Sequence, residues 1–384
     1  MRLGDVCEVV GGATPKTSNP AYWDGDIKWA TPAEIRDNTY VLEDTAKRLT
    51  EAGFKSANLH MMPAGTVLLT TRAPIGKVAL AGSDMCCNQG FKCLVCSDAV
   101  SNKWLYRYLK YHTPRLQAMG TGATFKELSK RAVSNLEIVL PSMDNQLAAV
   151  HKLAGVERVM AIVDQQLAKL DSLVKSRFVE MFGDPVDGAQ WPRKQLGDIY
   201  DVKSSKRIYA REQTKSGVPF YRLADINALV DEGAADSGLF ISEARYWELV
   251  SAGQVPIAGD ILVTARGTLG RCYVVGPDDC FYFQDGMITW LSQKQASPLA
   301  IYITSVFDNV HFIDELRRNC SGTTVNYLSI ADLSQTTIPL PPLSIQREFA
   351  DFASCVDKLR VEAQTQKEKL QTLYDSLAQD YFAI

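Results

Sequence analysis

The 384-residue sequence contains no apolar run that approaches the roughly 18 residues needed to cross a bilayer as a helix. The opening residues, Met1-Arg2-Leu3-Gly4-Asp5, do not form an apolar targeting segment either. Nine cysteines, an odd number scattered along the chain, fit buried thiols in a reducing compartment better than a disulfide framework. We therefore expect a soluble protein of the cytoplasm.

Sequence motifs that carry catalysis are missing as well. There is no Walker A motif, which excludes ATP-driven translocation by this chain. Asn19-Pro20-Ala21-Tyr22 is similar to the Asn-Pro-Pro-Tyr signature of amino-methyltransferases, but it lacks the second proline, and no glycine-rich strand-to-helix turn supplies a cofactor site. Pro277-Asp278-Asp279 is not followed by the Glu-x-Lys of a nuclease. We expect no catalytic residue in this chain.

One group of cysteines is a candidate zinc site. Cys93 and Cys96 have the C-x2-C spacing of zinc ligands, and Cys86 and Cys87 lie just upstream. However, the upstream pair is adjacent, Cys93–Cys96 resembles a buried strand, and the second half of the chain has no cysteine at the equivalent place. We therefore expect these thiols to pack in the core and expect no metal site.

Positive charge is not in excess. The chain carries 41 Lys and Arg against 44 Asp and Glu, for a net charge of −3. The charge is unevenly distributed, since residues 1–140 sum to +4 and residues 184–340 sum to −5. The second half would need a local basic patch, or a basic partner, to approach phosphates.

The sequence is a tandem duplication. "GTVLLTTRAPIGKVALAG" at Gly65–Gly82 recurs as "GDILVTARGTLGRCYVVG" at Gly259–Gly276, 194 positions later. "TGATFKELS" recurs as "SGTTVNYLS" 200 positions later, and that offset then continues from Pro141/Pro341 to Phe182/Phe382. Such a separation is far longer than a solenoid repeat, so the repeated unit is a domain. Short β-type runs separated by Gly and Pro predict a mixed α/β domain in each half.

A long helix is predicted at the end of each half, over residues 144–183 and 344–384, because both segments are long and nearly free of Gly and Pro. The mixed α/β domains that precede these helices span residues 1–143 and 190–343. Apolar residues recur at alternating steps of four and three, which is a heptad seam. The predicted seams are Ala149, Leu153, Val156, Met160, Val163, Leu167, Leu170 and Val174, and Phe352, Val356, Leu359, Ala363, Gln366, Leu370, Leu373 and Leu377.

These seams predict an α+β protein whose two helices pair as an antiparallel coiled coil with pseudo-two-fold symmetry, about 60 Å long, with a globular domain at each end. The alternative is that each helix packs only on its own domain.

The motifs resemble the specificity (S) subunits of type I restriction-modification systems. They are "LGDVCEVVGGATPKTSNPAYWDGDIKWATPAEI", "LLTTRAPIGKVAL", "NQGFKCLV" and "TGATFKELS" followed by "LPSMDNQ" and the long helix, with a second copy from "LGDIYDV" onward. Asn145-Gln146 and Ile345-Gln346 replace the common Glu-Gln of the family.

The resemblance implies two target recognition domains, each reading one half of a split double-stranded DNA site, and helical spacers on which two methyltransferase subunits dock. Restriction/translocase subunits would join them. It also implies no cofactor in this chain, with S-adenosylmethionine, ATP and Mg²⁺ held by the partner subunits.

Candidate DNA-binding residues lie in polar glycine-rich loops and beside strand ends. They are Thr14, Lys16, Thr17, Lys28, Arg72, Lys77, Thr121, Thr124 and Lys126 in the first half, and Lys203, Ser204, Lys206, Arg207, Arg222, Arg266, Arg271, Thr323, Thr324 and Asn326 in the second. For each loop the alternative is a solvated turn. Arg72 and Arg266 could contact a base, contact a phosphate or stabilise their own domain, whereas Lys77 and Arg271 are expected to face phosphates.

An alternative function is a non-enzymatic scaffold that binds other proteins through its duplicated domains. The acidic second half and the heptad seams are compatible with it. Salt-dependent affinity for DNA would distinguish the two functions.

Overall fold

The computed structural model describes residues 1–36, 38–72, 74–122, 126–188, 190–284, 286–294, 298–319 and 327–383. The chain divides into two compact units. The first unit comprises Met1–Asp164 with Thr365–Ile384, and the second comprises Gln165–Gln364. Among the described residues, no helix combines the length and the apolar character needed to cross a membrane.

The first half is a mixed α/β domain followed by a long helix. Its strands are β1 (Cys7–Gly11), β2 (Trp23–Ala30), β3 (Val41–Leu42), β4 (Arg48–Leu49), β5 (Val67–Thr70), β6 (Val78–Ala81), β7 (Cys86–Cys87) and β8 (Phe91–Cys96). Its helices are α1 (Glu51–Ser56), α2 (Asn102–Tyr111), α3 (Thr113–Met119), α4 (Lys130–Ser134) and α5 (Met143–Phe182). The main sheet has the order β1-β8-β5-β6-β3, and β4-β2-β7 form a smaller sheet.

The second half repeats this plan. Its strands are β9 (Arg193–Gln195), β10 (Tyr200–Lys203), β11 (Gln213–Thr214), β12 (Val218–Tyr221), β13 (Phe240–Ile241), β14 (Ile261–Thr264), β15 (Cys272–Val274), β16 (Tyr282–Phe283), β17 (Ile288–Gln293) and β18 (Thr337–Pro339). Its helices are α6 (Leu196–Ile199), α7 (Leu223–Glu232), α8 (Glu243–Ser251), α9 (Ala300–Phe307), α10 (Val310–Asn319), α11 (Ile330–Gln335) and α12 (Leu343–Phe382). The order β10-β17-β14-β15 repeats β1-β8-β5-β6 strand for strand, as the duplication predicts.

Each compact unit contains one recognition domain and the ends of both long helices. The core of the first unit takes Ala378 and Phe382 from the end of α12. The core of the second unit takes Phe178 and Phe182 from the end of α5. Each long helix therefore contributes its two ends to different cores, and the domain boundaries drawn from the sequence stay a prediction.

Within each unit the segments of α5 and α12 run antiparallel. In the first unit, Tyr374 Oη donates to Glu157 Oε1 at 3.1 Å, and Lys367 lies 2.7 Å from Asp164. In the second unit, Arg360 Nη2 donates to Asp171 Oδ1 at 2.7 Å. In the first unit, Asp164 follows Glu157 in α5, whereas its partner Lys367 precedes Tyr374 in α12. The two helix segments therefore run in opposite directions. The coiled coil over the full length of the helices stays a prediction.

The seam predicted for α12 is wrong at alternate positions. Leu359 and Leu373 are 52% and 47% exposed, and Gln366 is also exposed. The positions that face α5 are instead Arg360, Lys367 and Tyr374, since their polar ends meet the carboxylates of α5. Steps of three and four residues along α12 are compatible with either set of positions. The carboxylates of α5 select the second set, because they bond Arg360, Lys367 and Tyr374.

A buried glutamine fixes each long helix to its recognition domain. Gln146 is fully buried, accepts from the amide of Ser101 at 2.8 Å and donates to the carbonyls of Ala99 and Pro141, both at 3.0 Å. Gln346 repeats the arrangement with the amide of Leu299 and a proline carbonyl, at 2.9 and 2.8 Å. The duplicated Gln therefore satisfies backbone groups that burial would otherwise leave unpaired.

Replacing Gln146 with leucine should destabilise the first unit. The change removes the side-chain partner of one partly buried amide and two partly buried carbonyls, for a cost of about 3 kcal/mol in the free energy of unfolding. A thermal melt should show a midpoint lower by about 6–12 °C. Gln166→Leu, at an exposed position of the same helix, is the matched control, and equal melting temperatures for the two variants would contradict the role of Gln146.

Candidate nucleic-acid interface

Several loops leave the main sheet of the first unit at the same end of its strands. The end of β1 lies opposite the start of β8, with Gly11 paired to Lys92. The end of β5 is paired there too, with Thr70 opposite Phe91. The loops that follow β1 and β5 therefore leave the sheet beside the loop that precedes β8. We call residues 11–19, 71–72, 74–77, 88–92, 121–122 and 126–127 the first loop edge.

The second unit has the equivalent edge. Lys203 at the end of β10 is paired with Trp290, and Thr264 at the end of β14 is paired with Ile288. The loops at these strand ends again lie side by side. We call residues 203–215, 265–271, 284, 286–289 and 327 the second loop edge.

A buried threonine organises the turn at each edge. The hydroxyls of Thr70 and Thr264 accept a hydrogen bond from the backbone amide seven residues later, at 3.0 Å in both units. Each turn passes through a glycine with positive φ, 98° at Gly76 and 82° at Gly270, which is the left-handed region that favours glycine. The repeated eighteen-residue motif thus encodes one turn that presents side chains at a sheet edge.

The backbone bonds that hold the neighbouring loops are also duplicated. The amide of Thr71 donates to the carbonyl of Gly90 at 2.7 Å, and its carbonyl accepts from the amide of Leu128 at 3.0 Å. Ala265 makes the same two kinds of bond in the second unit, at 2.7 and 3.0 Å. Both loop edges therefore share one hydrogen-bond frame, independent of the side chains that they expose.

The loop after β1 lies directly against the loop before β8. A Cβ on Gly12 would stand 2.0 Å from the carbonyl oxygen of Asn88, so glycine is required for this approach. The hydroxyl of Thr14 donates to the side chain of Gln89. This packing gives the predicted loop a defined position on the first loop edge.

Nine of the predicted residues are exposed and have no bonding role described above, and four lie outside the described residues. Lys16, Thr17, Thr121 and Lys126 are exposed on the first loop edge, and Ser204, Lys206, Arg207 and Arg266 are exposed on the second. Arg222 is exposed at the start of α7, where its amide donates to Asp225 at 2.7 Å. Thr124, Thr323, Thr324 and Asn326 lie outside the described residues.

Besides Arg72, which is described below, four predicted cations are bonded within their own domains. Lys28 donates to the carbonyl of Glu43 at 2.6 Å and to Ser83 Oγ at 2.7 Å. Lys203 lies 3.2 Å from Asp201 and 4.0 Å from the ring of Trp290.

Lys77 and Arg271, which we expected to face phosphates, are the other two bonded cations. Lys77 donates to the carbonyl of Ile35 at 3.0 Å, and Arg271 holds both carboxylate oxygens of Asp231. Each of these side chains bonds the turn that follows β5 or β14 to a segment of the same domain that is distant in sequence.

The duplicated arginines differ in their partners. Arg72 lies 2.8 Å from Glu127, and its backbone is bridged to the same residue. Arg266 is bridged to Tyr327 instead, and no described acidic side chain forms an ion pair with it. The pKa of Glu127 is lowered by the hydrogen bond from Arg72, so this carboxyl stays ionised at neutral pH.

An exposed basic cluster occupies the second loop edge. The guanidinium groups of Arg207 and Arg211 lie 5.3 and 5.4 Å from the ring centroid of Tyr209, one on each side of it in sequence. Buried Ile208 anchors this segment, and Glu212 is engaged by Arg245 at 3.1 Å. Tyr209 and Arg211 are not among the residues predicted from the sequence. Their spacing of two residues on either side of an aromatic ring was the available signal.

The cysteines of the first half lie in its core. Cys87 and Cys93 are buried with their sulfur atoms 3.2 Å apart, and burial raises the pKa of the Cys86 thiol to about 12. Among the described residues, no group of three or more His, Cys, Asp or Glu side chains is placed to hold a metal ion. These contacts are those of thiols packed in a protein core.

Comparisons of sequence with known proteins agree on one family. A family model described as "Type I restriction modification DNA specificity domain" matches residues 1–172 and 189–372. The chain is 28% identical, over 403 residues, to the type I restriction enzyme MjaIX specificity subunit of Methanocaldococcus jannaschii, covering 98% of this chain and 90% of that relative.

Solved structures agree on the fold. One, from work on complex assembly and conformational transition of the type I R-M system, matches with a TM-score of 0.66 and 19% identity. The S subunit of the type I restriction-modification system from M. genitalium matches with a TM-score of 0.54 and 16% identity. Both matches cover 100% of this chain and 96% of the other.

Proposed function

The chain belongs to the type I restriction-modification DNA specificity family, and we propose that it is the non-catalytic subunit that recognises DNA in such a system. Each recognition domain reads one half of a bipartite target. The observation that carries this proposal is the pair of loop edges, in which one hydrogen-bond frame is built twice and exposes different side chains each time. A split site with two different halves requires this combination.

The acidic second half can still approach DNA through its basic cluster. Residues 203–215 contain five basic side chains and one acidic one, Glu212, which is paired with Arg245. Another acidic residue of this half, Asp260, is fully buried, and it accepts hydrogen bonds from Trp290, Ile257 and Gln293. The local charge at the second loop edge is therefore positive, which is what attraction to phosphates needs.

The two edges supply both kinds of contact that specific recognition needs. Exposed Lys and Arg neutralise phosphates and set the position of the protein, whereas polar side chains held beside them read base edges in the major groove. Lys16 and Lys126 serve the first role on the first loop edge, and Lys206, Arg207 and Arg211 serve it on the second. Lys28, Lys77, Lys203 and Arg271 stabilise the domains that present these groups.

The long helices carry the docking surface for the methyltransferase subunits. Exposed apolar side chains lie along them at Leu147, Val159, Ile162, Leu173, Val179, Leu359, Val361 and Leu373. A docked subunit would remove these apolar side chains from water, which is favourable. The helices also set the distance between the two half-sites, since each 40-residue helix is about 60 Å long.

The partner subunits supply the chemistry. Two methyltransferase subunits bind S-adenosylmethionine and methylate adenine N6 after the base is flipped out of the duplex. Restriction/translocase subunits with ATP and Mg²⁺ join this core to cleave unmodified DNA in the cytoplasm. The chain itself contributes binding and positioning.

A salt titration of DNA binding tests this function against a protein scaffold. The purified full chain should lose about 10³-fold in affinity for DNA between about 50 and about 200 mM salt if it contacts six phosphates. Fluorescence anisotropy on labelled duplexes measures the slope. A scaffold that binds only proteins would show no salt-dependent affinity for DNA.

A further inference from the structure

We propose that Glu127 is a base-reading residue of the first recognition domain, and that its carboxylate accepts a hydrogen bond from the exocyclic amino group of a cytosine or adenine. This inference rests on the proposed function, because it assigns a specific role within the first loop edge. It concerns one side chain and the two cations that position it.

The first observation is the geometry of the carboxylate. Glu127 lies at the first loop edge, where its backbone is bridged to both Arg72 and Thr121. Its Oε2 is 2.8 Å from Arg72 Nη2, whereas its Oε1 is 3.6 Å from Lys92 Nζ, which is too long for a hydrogen bond. The side chain is 33% exposed, so the carboxylate is partly open to solvent, and its oxygens have lone pairs beyond those that face Arg72.

The second observation is the charge balance. A carboxylate at a surface that meets phosphates would repel DNA if it stood alone. Arg72 and Lys92 compensate it, and the three side chains together carry one net positive charge. Lys92 is nearly buried, so its charge is held in place beneath the carboxylate. The arrangement keeps the net charge around Glu127 positive although a carboxylate is partly exposed there.

The third observation is the comparison of the two copies. Lys92 and Thr289 occupy equivalent positions, because each pairs with the third residue of the equivalent strand, β5 or β14. The equivalent of Glu127 is Tyr327. The second copy therefore keeps the arginine but replaces both the lysine and the glutamate by neutral residues. Residues that only stabilise the fold should be the same in the two copies. Residues that read bases should differ, because the two domains read different half-sites.

The chemistry selects the group that Glu127 reads. An ionised carboxylate only accepts hydrogen bonds, and in the major groove the donors are the N4 amino group of cytosine and the N6 amino group of adenine. Guanine and thymine present acceptors at the same positions, so they would face the carboxylate with repulsion. Glu127 thereby discriminates against two of the four bases at one position of the first half-site.

The test is N6-methyladenine mapping with the full complex that contains Glu127→Gln. The expected motif keeps its second half and spacer and loses base preference at one position of the first half, because a neutral amide both donates and accepts. Glu127→Asp keeps the carboxylate and should keep the base preference at a lower level of methylation. Arg72→Ala removes only the positioning cation and should lower methylation without changing the preferred base.

An unchanged base preference in Glu127→Gln would overturn the role of Glu127 and leave the proposed function standing. Loss of the preferred base in Arg72→Ala as well would also overturn it, since Glu127 would then be only one part of a structural clamp. Absence of any bipartite motif with the unmodified chain would overturn both the inference and the proposed function.

Discussion

Replacing Arg207 and Arg211 together with alanine is expected to weaken DNA binding by the complex about 30-fold or more. Each arginine that contacts a phosphate or a base contributes about 1–3 kcal/mol, and 1.4 kcal/mol is a factor of ten. Both guanidinium groups lie against the exposed ring of Tyr209 and have no ion pair with any described acidic side chain. Their charge is therefore available to DNA.

The salt dependence separates this effect from a general loss of charge. Two lost phosphate contacts should reduce the slope of log affinity against log salt by about 1.8. The double variant Lys103→Ala, Lys194→Ala is the matched control, because it removes the same charge from exposed positions at elements that lie away from the loop edges. An equal slope for the two variants would contradict the assignment of the second loop edge to DNA.

Lengthening both long helices by one heptad is expected to change the spacer of the target and leave its two halves intact. Seven residues add about 10.5 Å to a helix. At about 3.4 Å per base pair, the distance corresponds to about three additional base pairs between the half-sites. The insertions belong between Asp164 and Asp171 in α5 and between Arg360 and Lys367 in α12, so that the antiparallel contacts on either side remain.

An insertion in α5 alone is the control for this experiment. It moves Asp171 away from Arg360 while Asp164 keeps Lys367, and it should disrupt the helix pair instead of extending it. Methylome mapping of cells that make each variant gives the motif directly. Methylation at the original spacing by the doubly extended chain would contradict the helices as the determinant of the spacer.

The duplication, the sheet edges and the long helices follow from local sequence signals. The repeated turn is recognisable because a buried threonine and a glycine recur with the same spacing, as at Thr70 and Gly76. The helices are recognisable because Gly and Pro are rare over forty residues and apolar residues recur at heptad steps.

Contacts between residues that are distant in sequence could not be predicted from local sequence signals. Arg360, Lys367 and Tyr374 face α5 instead of the neighbouring residues Leu359, Gln366 and Leu373, and this choice depends on carboxylates 189 to 217 residues away in sequence. Arg271 is likewise bonded to Asp231, 40 residues away in sequence. The residues next to an arginine therefore do not reveal whether its side chain is free to meet DNA or is bonded within the domain. Which cations meet DNA therefore depends on the tertiary fold.

The most direct test of split recognition is genome-wide N6-methyladenine mapping in cells that make this chain with its methyltransferase, compared with the same cells carrying Arg207→Ala and Arg211→Ala. We predict a bipartite motif in the first strain, and in the second strain a motif whose one half is weakened or lost while the other half persists. A single contiguous motif, or a bipartite motif that both strains methylate equally, would contradict the account.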